Sequence, residues 1–169
     1  MTVEERIYKT ATGGTPVNPA GVPSTLANLI VAQAKHETGN FTSNFFKKYN
    51  NAFGYSYVAG ARYQLPKGGT IADNGLPIAA YKDVEDSTRE IVDWIYRRKR
   101  GGMFPDDLTT IQTPEQYANL LKGAGYYGDS VSNYLRGLKN YFINSPAKAA
   151  TGTIIFIAAI FLIIKILTK

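Results

Sequence analysis

Residues 24–39 read STLANLIVAQAKHETG, and the fold turns on how that stretch is taken. Pro23 precedes it, Ser24 and Thr25 are good helix N-caps, and Gly39 is a suitable left-handed stop, so a helix is expected across it. At about 100° per residue Leu26, Leu29, Ile30 and Gln33 share one side, and Glu37 falls on that same side. A carboxylate on an apolar face is costly in its charged form. The helix C-terminus adds the negative end of the macrodipole, which also disfavours ionisation. Glu37 is therefore expected to hold its proton more tightly than an ordinary glutamate, as a general acid must. The alternative is a carboxylate at the helix edge, exposed or paired with Lys35, Lys47 or Lys48. His36 points about 100° away from that face and takes a surface or structural role.

Outward from this helix, residues 1–22 contain TGGTPVNPAG and read as an extended N-terminal arm. From Tyr55 to Tyr81, short aromatic and β-branched segments are broken by Gly60, Pro66, Gly68, Gly69, Gly75 and Pro77. A small β-hairpin lobe is expected there, with an ordered loop as the alternative. Asp83 or Asp86 caps a second helix, EDSTREIVDWIYRR, whose Ile91, Trp94 and Ile95 form a core stripe. A third begins at Thr113, with Pro114 at its first position and Gln116 completing a capping box. A fourth spans Ser130 to Phe142, turning Val131, Tyr134, Leu135, Leu138 and Phe142 inward. The pattern predicts a mainly α chain with one helical domain over 23–145.

Composition narrows the chemistry. With no cysteine there is no disulfide, thiolate zinc site or cysteine nucleophile, which leaves carboxylates, hydroxyls and one histidine. No metal-ligand spacing or phosphate-cradling loop is present, so neither a metal nor a cofactor is expected. The net charge of +6 favours an anionic partner such as a wall polymer or an acidic membrane surface. Four cations form one run, Arg97 to Arg100, read as solvated charges complementing a helix end. No reading elements for nucleic acid accompany them, so no nucleic-acid partner is expected.

The far end differs in character. From Ala149 to Ile164 there is no charge, and Ile166 and Leu167 extend the run past Lys165. Such a run approaches the ~20 residues that cross a bilayer core, and the stem of Lys165 can snorkel to the headgroups. A transmembrane helix is expected over 147–168. The first residues, MTVEERIYKTATGG, lack an uninterrupted apolar stretch, so no cleavable export signal is expected.

The segment AQAKHETGNFTSNFFKKYNNAFGY, residues 32–55, resembles glycoside hydrolase family 73, the glucosaminidase and lysozyme-like group. There a helix ends in Glu, then Ser or Thr and Gly, and an Asn-Asn-x-Phe-Gly element follows a short loop. Here those elements are Glu37-Thr38-Gly39 and Asn50-Asn51-Ala52-Phe53-Gly54. Ala80-Tyr81-Lys82-Asp83, Glu85-Asp86-Ser87 and Ala124-Gly125-Tyr126-Tyr127 continue the likeness in the same order. The resemblance implies an α+β lysozyme-like fold and an enzyme that cuts the glycan strands of peptidoglycan, as a glucosaminidase, a muramidase or a lytic transglycosylase. It makes Glu37 the acid that protonates the glycosidic oxygen and Tyr126 a cleft residue near the scissile bond, with Tyr127 as its rival. Asn51, Phe53, Tyr81 and Tyr127 enter as candidate substrate-binding residues, Asn51 and Phe53 with the alternative of holding the loop beside Glu37.

The sequence departs from the family in the lobe. Many members place a second acid in a Thr-Glu-x-x-x-Gly segment, where this chain has Thr70-Ile71-Ala72-Asp73-Asn74-Gly75. Ile71 fills the Glu position and Asp73 is the nearest acid. An inverting enzyme needs a base about 6.5 to 9.5 Å from the acid, and Asp73 is the candidate for it. If Asp73 does not reach the cleft, Glu37 acts alone, as resemblance to single-acid lytic transglycosylases implies. A catalytically inactive scaffold that binds wall glycan is the non-enzymatic alternative. The expected partners are peptidoglycan, a lipid membrane through residues 149–167, and structural proteins of a virus particle. The internal membrane of such a particle is preferred over the host cell membrane, because an anchored domain without an export signal would otherwise stay away from the wall.

Overall fold

The computed structural model describes residues 1–71 and 75–142; Asp73 and the apolar run at 149–167 lie outside the described residues. The described chain is mainly helical. Helix α2 (Ser24–Glu37) is its centre, flanked by α1 (Val3–Gly13) on one side and α6 (Val131–Phe142) on the other. Helix α1 also packs on α4 (Val84–Arg100), and α5 (Pro114–Gly123) packs on α6. Among the described residues no helix is long and apolar enough to cross a membrane.

The periodicity of α2 does its expected work: Leu26, Leu29 and Ile30 are fully buried, each worth about 1.5–3 kcal/mol of apolar burial. Gln33, on the same face, is buried too and accepts a 2.6 Å hydrogen bond from the Tyr117 hydroxyl, which ties α5 to α2. Helix α6 comes unusually close to α2. A Cβ at Gly137 would collide with the His36 ring, and that ring meets Tyr134 edge to face at 4.9 Å. His36 is thus structural, and burial holds its pKa below the ordinary histidine value.

The helix boundaries at α4 and α5 follow local chemistry. The Asp83 carboxylate accepts from the Asp86 amide, and the Thr113 and Gln116 side chains close a reciprocal capping box with Pro114 in the first turn. Two helices were not anticipated. Residues 1–22 are not an extended arm, because Thr2 and Glu5 form a capping box that starts α1 and Ile7 and Ala11 bury its inner face. Ion pairs fasten it: Arg6 to Glu85 at 2.5 Å and Glu4 to Lys35 at 3.4 Å. Helix α3 (Asn44–Tyr49) is capped by Ser43 and ends at Asn50 in the left-handed region.

The lobe is looser than a hairpin. Among the described residues it consists of three antiparallel bridges, Ser56 with Ile78, Gln64 with Tyr81 and Ile71 with Pro77. Gly68 and Gly69 pack against the rings of Tyr57 and Tyr49, and the prolines at 66 and 77 cannot donate to a ladder, so pairing stays discontinuous. One polar knot holds lobe, amino-terminal loop and α4 together. The buried Asp93 carboxylate accepts from the Thr15 hydroxyl at 2.5 Å, the Asn18 amide at 2.6 Å and the Tyr63 hydroxyl at 2.8 Å.

Candidate active site

Glu37 is the last residue of α2, and the chain reverses sharply after it. The buried Thr38 hydroxyl donates to the Ala34 carbonyl and accepts from the Phe41 amide, while Gly39, Asn40 and Phe41 are consecutively left-handed. Asn40 and Phe41 in that region carry backbone strain, sustained by the Thr38 bonds and by the Phe41 ring on Phe46. The turn brings α3 and residues 50–55 back across the carboxylate.

Asn51 fixes that returning segment. Its amide donates to the carbonyls of Tyr55 and Ala79, and its oxygen accepts from the amides of Phe53 and Tyr55. The neighbouring Asn50 amide donates to the Tyr81 and Lys82 carbonyls. Gly54 follows with φ +66°, and a Cβ there would sit 3.5 Å from Glu37 Oε2. A side chain at 54 would be strained and would cover that oxygen, so glycine keeps it open.

Two adjoining cavities of about 220 and 350 Å³ share Glu37, Gly54 and Ser56 in their walls. The first is completed by Phe45, Asn51 and Ile78 among others, the second by Phe53, Tyr55, Trp94 and Tyr126. Among the described residues lining them, Glu37 is the one carboxylate. Its Oε1 accepts a 2.7 Å hydrogen bond from the Tyr134 hydroxyl. Burial raises the Glu37 pKa above the ordinary carboxylate value, and the Tyr134 bond, which favours the anion, pulls it part of the way back. The result is a carboxyl that binds its proton more tightly than an ordinary glutamate, with Oε1 anchored by Tyr134 and Oε2 beside Gly54.

Replacing Tyr134 by Phe removes the bond that stabilises the anion. The Glu37 pKa is then expected to rise further, and the alkaline limb of the activity–pH profile to move to higher pH. Superimposable profiles for wild type and Tyr134→Phe would separate this hydroxyl from the acid's tuning.

A family model described as mannosyl-glycoprotein endo-beta-N-acetylglucosaminidase, the glucosaminidase domain, matches residues 23–147. The chain belongs to the glucosaminidase family. Membership makes it a glycosidase that acts on peptidoglycan. The glucosaminidase domain is similar to a solved C-terminally truncated glycoside hydrolase domain from Salmonella typhimurium FlgJ, with TM-score 0.55 and 24% identity over 84% of this chain and 91% of that one. It is also similar to a chain from a type VI secretion system effector-immunity complex of Pseudomonas protegens, with TM-score 0.50 and 16% identity over 83% and 93%. Both are likenesses of fold. No curated protein matches the chain.

The glucosaminidase cleft brings together Glu37, Asn51, Phe53 and Tyr126 of the residues expected in it. Tyr126 lines the larger cavity, donates to the Phe53 carbonyl at 2.5 Å, and meets Tyr55 and Trp94 edge to face. Phe53 is buried and contributes structure. Tyr81 and Tyr127 stand elsewhere. Tyr81 is 2% exposed with its hydroxyl on Glu90 at 2.8 Å, so it is a core residue and not a substrate contact. Tyr127 stacks on Tyr134 at 3.9 Å and donates to the Ala118 carbonyl, which makes it a support for the donor to Glu37. Asp73 lies outside the described residues, and Ile71 is exposed.

Sequence reasoning missed Tyr134 as a partner of Glu37, and Phe45, Ser56 and Trp94 as cleft walls. Trp94 carried a signal, since an aromatic at the edge of a core stripe can face a cavity. Among the described residues no group of three or more His, Asp or Glu side chains is arranged to hold a metal ion.

Proposed function

We propose that the chain is an endo-acting N-acetylglucosaminidase in which Glu37 protonates the glycosidic oxygen, held to a membrane by residues 149–167. The observation that carries the catalytic assignment is the buried, tyrosine-anchored Glu37 carboxyl at the junction of two cavities. As the bond from the anomeric carbon to the leaving oxygen breaks, the Glu37 proton passes to that oxygen. Water adds to the anomeric carbon and gives its proton to a base, the role assigned to Asp73.

A second reading is favoured by Glu37 being the one carboxylate among the described cavity residues: a lytic transglycosylase, in which the substrate's own hydroxyl attacks the anomeric carbon. Mass spectrometry of fragments released from purified peptidoglycan distinguishes the two. A new reducing-end N-acetylglucosamine is expected; anhydro ends, one water lighter, would replace the hydrolase with the transglycosylase, and no soluble fragments would reject both.

The uncharged run from Ala149 to Ile164 supports the anchor, and a virus particle with an internal membrane is the location that brings an anchored wall-cutting domain to the wall from outside. The protein is expected in purified lipid-containing particles. Recovery solely from host cytoplasmic membrane would sink the virion assignment.

A further inference from the structure

The last turn of α4 carries Arg97, Arg98, Lys99 and Arg100, and none of the four ion pairs among the described residues uses them. Lys99 lies near Asp107, whose pKa is held below the ordinary value first by hydrogen bonds from Thr109 and then by this charge. Arg97 lies near the Glu90 carboxylate, and Arg98 sits beside the cleft. Trp94, one turn earlier, lines the cavity next to Glu37, and the Arg98 guanidinium lies 5.3 Å from its ring centroid. Arg97 is exposed on the turn between Trp94 and Arg98.

Beyond Trp94 lies a second concavity. Trp94 meets Phe104 edge to face at 6.0 Å, and Phe104 lines an open groove of about 530 Å³ together with Met103, Ile111, Gln116, Asn119 and Leu120. Arg98 spans the two spaces, because its Nη1 is 3.8 Å from Met103 Sδ while its plane covers Trp94. A molecule leaving the glycan cleft past Trp94 would therefore meet two guanidinium groups and then a mostly apolar channel with a few amides.

Peptidoglycan has a branch of that chemistry: short peptide stems with methyl side chains and free carboxylates. We propose that the groove between residues 102–111 and α5 is a subsite for the peptide stem of the substrate, its carboxylates taken by Arg98 and Arg97. The subsite rests on the reading of the chain as a peptidoglycan glycosidase and adds to it a preference for stem-bearing over bare glycan. Guanidinium groups suit the role because their planar forks match carboxylates bidentately. A stem docked there holds the attached sugar in register with Glu37.

Trp94 is the single tryptophan of the chain and reports directly on the site. The full chain is titrated with a synthetic alanyl-γ-glutamyl-lysine peptide bearing free carboxylates, following tryptophan fluorescence. A saturable change is expected, with binding weakened about tenfold or more by Arg97→Gln with Arg98→Gln, by Asn119→Glu, and by amidating the peptide's carboxylates. Because Arg98→Gln also alters the surroundings of Trp94, Asn119→Glu is the independent variant: Asn119 is exposed on α5, where its amide donates to the Glu115 carbonyl. Equal binding of amidated and free peptide, unchanged binding in these variants, or no saturable change in wild type would overturn the subsite. Peptide binding without any cleavage of peptidoglycan would sink the glycosidase assignment instead. Cleavage with indifference to the peptide would sink the subsite alone.

Discussion

Glu37→Gln is expected to lower turnover on peptidoglycan by about 10²–10⁴-fold, the range a positioned general acid contributes, without unfolding the protein. Gln keeps the size of the side chain and can still accept the hydrogen bond from Tyr134, but it has no proton to give. The stability effect has a definite sign. Burial raises the folded-state pKa of Glu37 above its ordinary value of 4.5. The folded protein therefore holds this proton more tightly than the unfolded chain, and the stability so gained is present below about the ordinary value and lost as pH rises through the folded pKa. At neutral pH the wild type has lost that contribution, whereas the Gln variant, with no proton to lose, has not. Thermal melts should show the variant at least as stable as wild type at pH 7 and equal to it near pH 3. A variant that melts lower at both pH values would mean that Glu37 is structural, and a variant that retains full activity would remove it from the chemistry.

Asp93→Ala should be the most destabilising of the single substitutions considered. It strips the acceptor from Thr15, Asn18 and Tyr63 at once, and Thr15 and Asn18 are themselves buried. Leaving buried polar groups unpaired costs about 1–3 kcal/mol each, so a loss of about 3–5 kcal/mol is expected once some of them relax towards water. For a domain of this size that is a fall in Tm of about 10 °C or more. Asp93→Asn keeps an acceptor oxygen and should lose less. Chemical denaturation of both variants checks the ordering; equal stability of Asp93→Ala and wild type would show that the three donors find other partners.

Glu37 was legible because several local signals agreed on one helix: an apolar face with a carboxylate in line, N-cap residues at one end and Gly39 at the other. The capping box at Thr113 and Gln116 and the core stripe of Ile91, Trp94 and Ile95 were legible for the same reason. Helix α1 was not, although Thr2 and Glu5 carry the same box signature, because the glycines and prolines of 13–23 outweighed Ile7 and Ala11. Helix α3 spans six residues, less than two turns, and shows no period to detect. The partners of the two key carboxylates were hidden for another reason. Tyr134 lies 97 residues from Glu37, and Thr15 lies 78 from Asp93. Such pairings are products of tertiary packing, and Tyr134 at a helical core position reads as one more inward aromatic.

Helix α1 bears on how this molecule can be taken apart. The region matched by the family model begins at residue 23, yet Ile7 and Ala11 are fully buried and Arg6 and Glu4 are paired to α4 and α2. A fragment cut at the family boundary would keep Glu37 and its cleft while baring an oily seam along α2 and α4. It would also discard Thr15 and Asn18 from the Asp93 knot. The smallest piece that can be handled in solution as a catalyst is therefore larger than the piece that homology outlines, and its extra length lies at the amino-terminal side.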